Sequence, residues 1–302
     1  MSEREAIRQA LANAGMVADI AAMRNLSGGC IHQVLEVALS DGRIVVAKIN
    51  AARMLRLFEE EAHSLGALAA THVVLTPQPL ACLAHGGTAV LLMTKIEAPR
   101  TKPTDTDWQR FGRELAALHQ SETGGQPRYG FDMDNHIGST PQPNSWHEDW
   151  VEFNAINRLG FQAATARDIG LLEPDEVRKI ETVVARLDQF IPRHPSPSLL
   201  HGDLWSGNAL PGADGLGQTR IALIDPASSI GDGWADLAMM KLFGGFPQAC
   251  FDSYANVIAP PDDLQTRLAV YQLYHVLNHV NIFGGGYVGQ AMNLAQQVLR
   301  GK

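Results

Sequence analysis

The chain has 302 residues, 45% hydrophobic and 19% charged, with a formal net charge of -8. That length accommodates one or two closely packed lobes, and an acidic balance without a Lys/Arg-rich run argues against a nucleic-acid partner, whose phosphates require a basic face. The N-terminus lacks an apolar signal region and no window approaches a membrane span, so no membrane and a cytoplasmic location are expected. Cys30, Cys82 and Cys250 are too few and too scattered for a disulfide framework or a zinc site.

Ile7, Ala10, Leu11 and Ala14 share one helical face and predict a leading helix over 3–14, capped by Gly15. Gly28 and Gly29 then precede an alternating run from Ile31 to Leu39, an Asp41-Gly42 turn and a strand over 43–50, so a glycine-bearing loop opens a β-hairpin. Glycine lets backbone N–H groups lie close over phosphates, which makes Gly28, Gly29 and the neighbouring Cys30 candidate nucleotide contacts. Cys30 is there either a redox-sensitive thiol among backbone donors or an inert small residue.

Val45-Val46-Ala47-Lys48 is similar to the V-A-I-K strand, whose lysine pairs the α/β-phosphates and a helix glutamate. Leu55, Phe58, Ala62, Leu65 and Ala69 predict a helix over 55–70. Glu61 is the expected partner of Lys48, with Glu59 and Glu60 on a solvated face. Strands are predicted over 79–84 and 88–96, the second carrying Met93 and Lys95 as further candidate nucleotide contacts. The Pro-rich, polar residues 97–103 predict a hinge between an N-terminal lobe, 1–96, and a C-terminal lobe, 97–302.

Beyond the hinge the pattern is mainly helical. Trp108, Phe111, Leu115 and Leu118 mark a helix ending near His119, followed by turn-rich residues 124–144, a long helix over 145–169 and another over 173–191. The chain then reaches Leu199-Leu200-His201-Gly202-Asp203-Leu204-Trp205-Ser206-Gly207-Asn208. An Asp followed five residues later by an Asn has the spacing of the kinase catalytic loop H-R-D-L-x-x-x-N. Asp203 is the candidate base for an acceptor hydroxyl. Asn208 and Asp225, the latter ending the apolar run from Ile221, are candidate ligands of the Mg2+ that accompanies ATP.

Only ten residues separate Asp225 from Asp236, too few for a protein-kinase activation segment, so the acceptor is expected to be a small molecule or a small adduct. Asp236 is expected to receive backbone groups of the catalytic loop. A last helix over 262–283 carries Tyr271, Tyr274, His275, Asn278 and His279. His275 is a candidate substrate-pocket residue, and with no third ligand nearby the two histidines are not expected to bind a metal.

These stretches together resemble the fructosamine kinase (ketosamine-3-kinase) family, within the aminoglycoside and choline kinase-like phosphotransferases. The resemblance covers nearly the whole chain. It is carried by Gly28-Gly29-Cys30-Ile31, Val46 to Asn50, Phe58 with Glu61-Ala62, Asn135 to Gly138, Pro141 to Asn144, Leu199 to Asn208, Asp225-Pro226-Ala227, Asp236 to Met239, Leu242 to Phe246 and Tyr271 to His279. It implies an α+β, bilobal protein-kinase-like fold with a small β-rich N-terminal lobe and a larger, mainly helical C-terminal lobe. It implies ATP-dependent phosphorylation of a sugar hydroxyl on fructosamine or ribulosamine adducts of amines or protein lysines, leading to deglycation; the sequence leaves a monomer or a homodimer open. By the same resemblance Lys48 and Glu61 position ATP, Asp203 is the base, Asn208 and Asp225 hold magnesium, and Trp205 faces the sugar.

One departure stands out: Gly233-Trp234 replaces the Arg-Glu that the family tends to carry before Asp236. The alternatives are a kinase of another small amine or alcohol, such as an aminoglycoside, choline or homoserine, and a nucleotide-binding protein without turnover.

Overall fold

The computed structural model describes residues 3–26, 32–123 and 128–301. The chain forms two compact units, Met1–Pro103 with Leu210–Asp225, and Thr104–Ala209 with Pro226–Lys302. The architecture is α+β, with an N-terminal antiparallel sheet followed by a mostly helical part.

In the first unit, helix α1 (Glu3–Asn13) is followed by strands β1 (Ile20–Leu26), β2 (Gln33–Leu39) and β3 (Ile44–Ala51). Helix α2 (Leu55–Ala70) comes next, then β4 (Pro79–His85) and β5 (Thr88–Thr94), giving a five-stranded sheet of order β1-β2-β3-β5-β4. Strand alternation sorts its side chains between the two helices. Val45, Ala47, Ile49, Val90 and Leu92 pack with Ile7, Ala10 and Leu11 of α1, whereas Val46, Ala89, Leu91 and Met93 pack with Phe58 and Leu65 of α2. With both faces covered, β5 is almost wholly apolar, as a central strand must be.

Strand β1 has no counterpart in the sequence reading. Only Ile20 of it is fully buried, so this edge strand carries no alternating apolar signal. Glu60 corrects the reading of a solvated acid: it is buried, and its Oε1 accepts from Arg56 at 2.7 Å.

The second unit opens with α3 (Asp105–His119), whose start is set by a reciprocal cap between Thr104 and Asp107. It continues through the small hairpin β6 (Asn135–Ile137) and β7 (Thr140–Gln142). The helix expected over 145–169 is interrupted. Tyr129 and His147 bridge as extended backbone, α4 (Trp150–Phe153) starts from the Asp149 cap, and a π turn (Asn154–Arg158) precedes α5 (Leu159–Asp168). The π turn lets the buried Arg158 guanidinium reach Pro143 O and Asn144 Oδ1, both at 2.7 Å. The helix expected over 173–191 is α6 (Pro174–Val184) followed by a separate 3₁₀ turn (Leu187–Gln189).

Strand β8 (Pro197–Leu200) then leads into the catalytic-loop sequence. The chain next contributes β9 (Ala209–Ala213) and β10 (Thr219–Leu223), which with Asp225 belong almost entirely to the first unit. There Ala222 bridges Leu75, Ala213 bridges Glu97, and Thr76 Oγ1 donates to Leu223 O at 2.8 Å. Back in the second unit, β11 (Ser229–Asp232) pairs with β8, and α7 (Trp234–Phe243), α8 (Gln248–Ala255), α9 (Leu264–Phe283) and α10 (Val288–Arg300) complete the fold. No helix among the described residues is long and apolar enough to cross a membrane.

Candidate active site

In the first unit, Lys48 lies on the α2 side of β3. Its Nζ donates to Glu61 Oε1 at 2.6 Å and to Asp225 Oδ1 at 2.5 Å. Burial opposes the ammonium, but the two carboxylates outweigh it and hold Lys48 above its ordinary pKa. Burial, together with the like charge of Asp225, raises the Glu61 carboxyl against the attraction of Lys48. One ammonium between two carboxylates leaves the cluster with a carboxylate in excess of its cation. Asp225 itself has φ 54°, a conformation costly for a residue with a Cβ and therefore a mark of local strain.

Of the other expected nucleotide contacts, Gly28, Gly29 and Cys30 lie outside the described residues. The Met93 side chain is buried in the α2 cluster. Lys95 reaches Glu36 at 3.1 Å and Glu97 at 3.6 Å, while Arg24 donates twice to Glu36, at 2.6 and 3.0 Å. Hydrogen bonds from Arg24 and Lys95 hold the Glu36 carboxyl down at about 2. This network was not read from the sequence, because the Arg24–Glu36 pairing exists only through the β1–β2 register.

In the second unit, the loop after β8 is held by its backbone. His201 N–H donates to Asp236 Oδ2 at 2.7 Å and Gly202 N–H to Asp236 Oδ1 at 2.9 Å. Asp236 is 1% exposed. Burial alone would raise its pKa, but the hydrogen bond with His119, the nearby His119 and His201 and the Gly202 N–H hold it low. His119 Nε2 lies 3.2 Å from Asp236 Oδ2, and its Nδ1 lies 2.9 Å from the Tyr254 hydroxyl. The loop turns at Gly202, φ 84°, where a Cβ would fall 2.0 Å from Ala227 O. No other residue fits there without moving the backbone. Asp236 thus has the anchoring role expected of it, while its support by His119 and Tyr254 depends on α3 and α8, distant in sequence.

The loop geometry ties together the two candidate side chains, Asp203 and Asn208. Asn208 Nδ2 donates to Asp203 O at 2.8 Å and Asp203 Oδ2 at 3.2 Å, so the amide orientation is tied to the carboxylate. Trp205 is 41% exposed, yet the far edge of its six-membered ring lies where a Gly207 side chain would stand, 2.2 Å from the position of a Cβ. The glycine lets the indole fold onto the loop and present its remaining surface outward.

His275 is buried in the wall of a cavity of ≈ 30 Å³, shared with Arg158, Gln142, Tyr274, Gly202 and Asp236. Such a volume suits water rather than a sugar ring. Its Nδ1 has no hydrogen-bond partner among the described residues, and burial presses its pKa to about 3. His279 instead hydrogen-bonds the His275 carbonyl at 2.8 Å and sits among Phe243, Phe283 and Tyr287. Gly233 also has a local reason: a Cβ would fall 2.7 Å from His119 Nδ1, while Trp234 packs edge-on against Tyr254.

The fold is that of kinase-like phosphotransferases. The aminoglycoside phosphotransferase of Streptomyces rimosus, solved with ADP and streptomycin, matches 93% of this chain and 99% of its own with a TM-score of 0.55 at 18% identity, a likeness of fold alone. The fructosamine kinase family model matches residues 3–301, and the chain belongs to that family. A "probable ketoamine kinase" of Synechocystis is 41% identical over 279 residues, 92% of this chain and 90% of the relative. The crystal structure of a Thermobifida fusca protein provisionally assigned as a fructosamine-3-kinase superposes with a TM-score of 0.85 at 30% identity, covering 99% of this chain and all of the other.

Proposed function

We propose that the protein transfers the terminal phosphoryl group of ATP to a sugar hydroxyl of a ketoamine adduct on an amine or a protein lysine, destabilising the adduct and so leading to deglycation. The observation carrying this reading is the Asp203–Asn208 pairing on a loop whose backbone is fixed by Asp236. Asp203 accepts the hydroxyl proton as the new O–P bond forms and the bond from the γ-phosphorus to its bridging oxygen breaks, releasing ADP. Lys48, oriented by Glu61, provides the cation for the nucleotide phosphates. Trp205 offers its exposed aromatic surface to the apolar side of the sugar.

The Asn208 amide oxygen and the Asp225 carboxylate are hard oxygen donors of the type magnesium prefers, and the surplus negative charge of the Lys48 cluster fits the same ion. These two residues would hold it, and it would neutralise phosphate charge during transfer.

The direct test incubates the protein with ATP, magnesium and ribulosyl-lysine, fructosyl-lysine or unmodified lysine, measuring ADP release beside an Asp203→Asn control. Release that requires a ketoamine and is lost in the control supports the reading. Silence on every ketoamine despite intact ATP binding redirects it to another small amine or alcohol acceptor.

A further inference from the structure

We propose that His32 is a further nucleotide-binding residue, its neutral Nε2–H donating a hydrogen bond to a phosphate oxygen of the nucleotide beside Lys48. This rests on the kinase reading above and concerns a side chain to which neither the motifs nor the family resemblance assigned a role.

The argument begins with sheet register. Gln33 pairs with Ile49 and Val34 with Lys48, so His32, immediately before Gln33, comes opposite Asn50. Residues two apart on a strand share a face, which puts His32, Asn50, Val34 and Lys48 on one side of the sheet. Packing agrees: the imidazole lies 4.7 Å from the Phe58 ring, within the cluster on the α2 side. The position is about 7 Å along the strand from Lys48, two residues at the usual rise. In sequence it directly follows the Gly28-Gly29-Cys30-Ile31 stretch.

Hydrogen bonding then fixes the tautomer. Asn50 Oδ1 accepts from Ala51 N–H at 2.8 Å, so the amide nitrogen is the atom turned to His32 Nδ1, 2.9 Å away. An amide nitrogen can only donate. Nδ1 must accept, and the ring proton sits on Nε2. Nε2 makes no hydrogen bond among the described residues. Burial first, and then the Lys48 ammonium, lower the pKa of His32 against the opposing pull of Asp225, which keeps the ring neutral. A neutral donor beside a lysine adds a phosphate contact without charge repulsion.

Calorimetric titration of ATP and of adenosine into wild type, His32→Phe and His32→Gln, at fixed magnesium and without acceptor, tests this. Phe keeps a ring against Phe58 but has no donor; Gln restores one. The expected result is ATP binding about 10-fold weaker in His32→Phe, the scale of one charge-assisted hydrogen bond, with adenosine binding and the melting temperature unchanged and most of the loss recovered in His32→Gln. Equal ATP affinity in wild type and His32→Phe overturns the inference, as does an equal loss for adenosine, which marks a merely structural role. Wild-type protein that fails to bind ATP overturns the kinase reading itself, a result separable because it is measured before any variant.

Discussion

The Lys48 cluster of the first unit and the Asp203 loop of the second solve the same problem, holding charged groups ready, by opposite means. Around Lys48 the charges hold one another: three side chains from β3, α2 and the residue ending the β10 run meet within 2.6 Å contacts. Around Asp203 the carboxylate proposed as base is placed by its main chain, which a buried acid grips through two N–H groups. A side-chain cluster can exchange partners when a ligand arrives, whereas a backbone grip leaves the loop in place whether or not a ligand is present.

Breaking the grip has the largest expected effect. Asp236→Ala leaves two backbone donors and His119 buried without their acceptor, and a loss of about 3–5 kcal/mol is expected by denaturant unfolding, the scale for leaving two or three buried polar groups unsatisfied. An unchanged midpoint would mean that the loop does not depend on Asp236. Asp203→Asn keeps the grip and removes only the carboxylate proposed as base. A fall in kcat of about 100-fold or more is expected, with ATP affinity spared, and near-normal turnover would exclude Asp203 as base.

A pH series sharpens the contrast through His275, which lines a cavity with Gly202 and Asp236 beside the grip. Folding holds His275 neutral down to about 3, whereas the unfolded chain protonates it below about 6.5, so the unfolded state binds the extra proton in between. Its contribution is therefore at its full value above about pH 6.5 and is lost as the pH falls, by about 1.4 kcal/mol per unit. His275→Leu should flatten that part of the stability profile; the same slope in both proteins would assign the effect elsewhere. The smallest effect is expected on the sheet surface. Arg24→Ala removes the exposed partner of Glu36, while Lys95 remains, and should leave the melting temperature unchanged within error.

Legibility in the sequence followed the physics of each element. Helix α2 and strands β4 and β5 were readable within a residue or two because burial imposes a strict period on them. Strand β1 was not, since an edge strand with mostly exposed side chains imposes none. The helix over 145–169 was misread as continuous because apolar spacing does not record the π turn, which Arg158 accompanies by reaching residues 143 and 144. Glu60 was assigned to solvent because its neighbour in sequence, Glu61, occupied the obvious role.

By itself the sequence determined the family and nominated the chemistry: a candidate base, candidate ligands for a hard cation, and only ten residues between Asp225 and Asp236. Those facts depend on residue identity and spacing over a few positions. Only the tertiary structure decided what supports them: His119 and Tyr254 behind Asp236, Gly233 making room for that histidine, and Asn50 setting the tautomer of His32. Such partners come from elements far apart in the chain, and no local period or motif encodes which of them will meet.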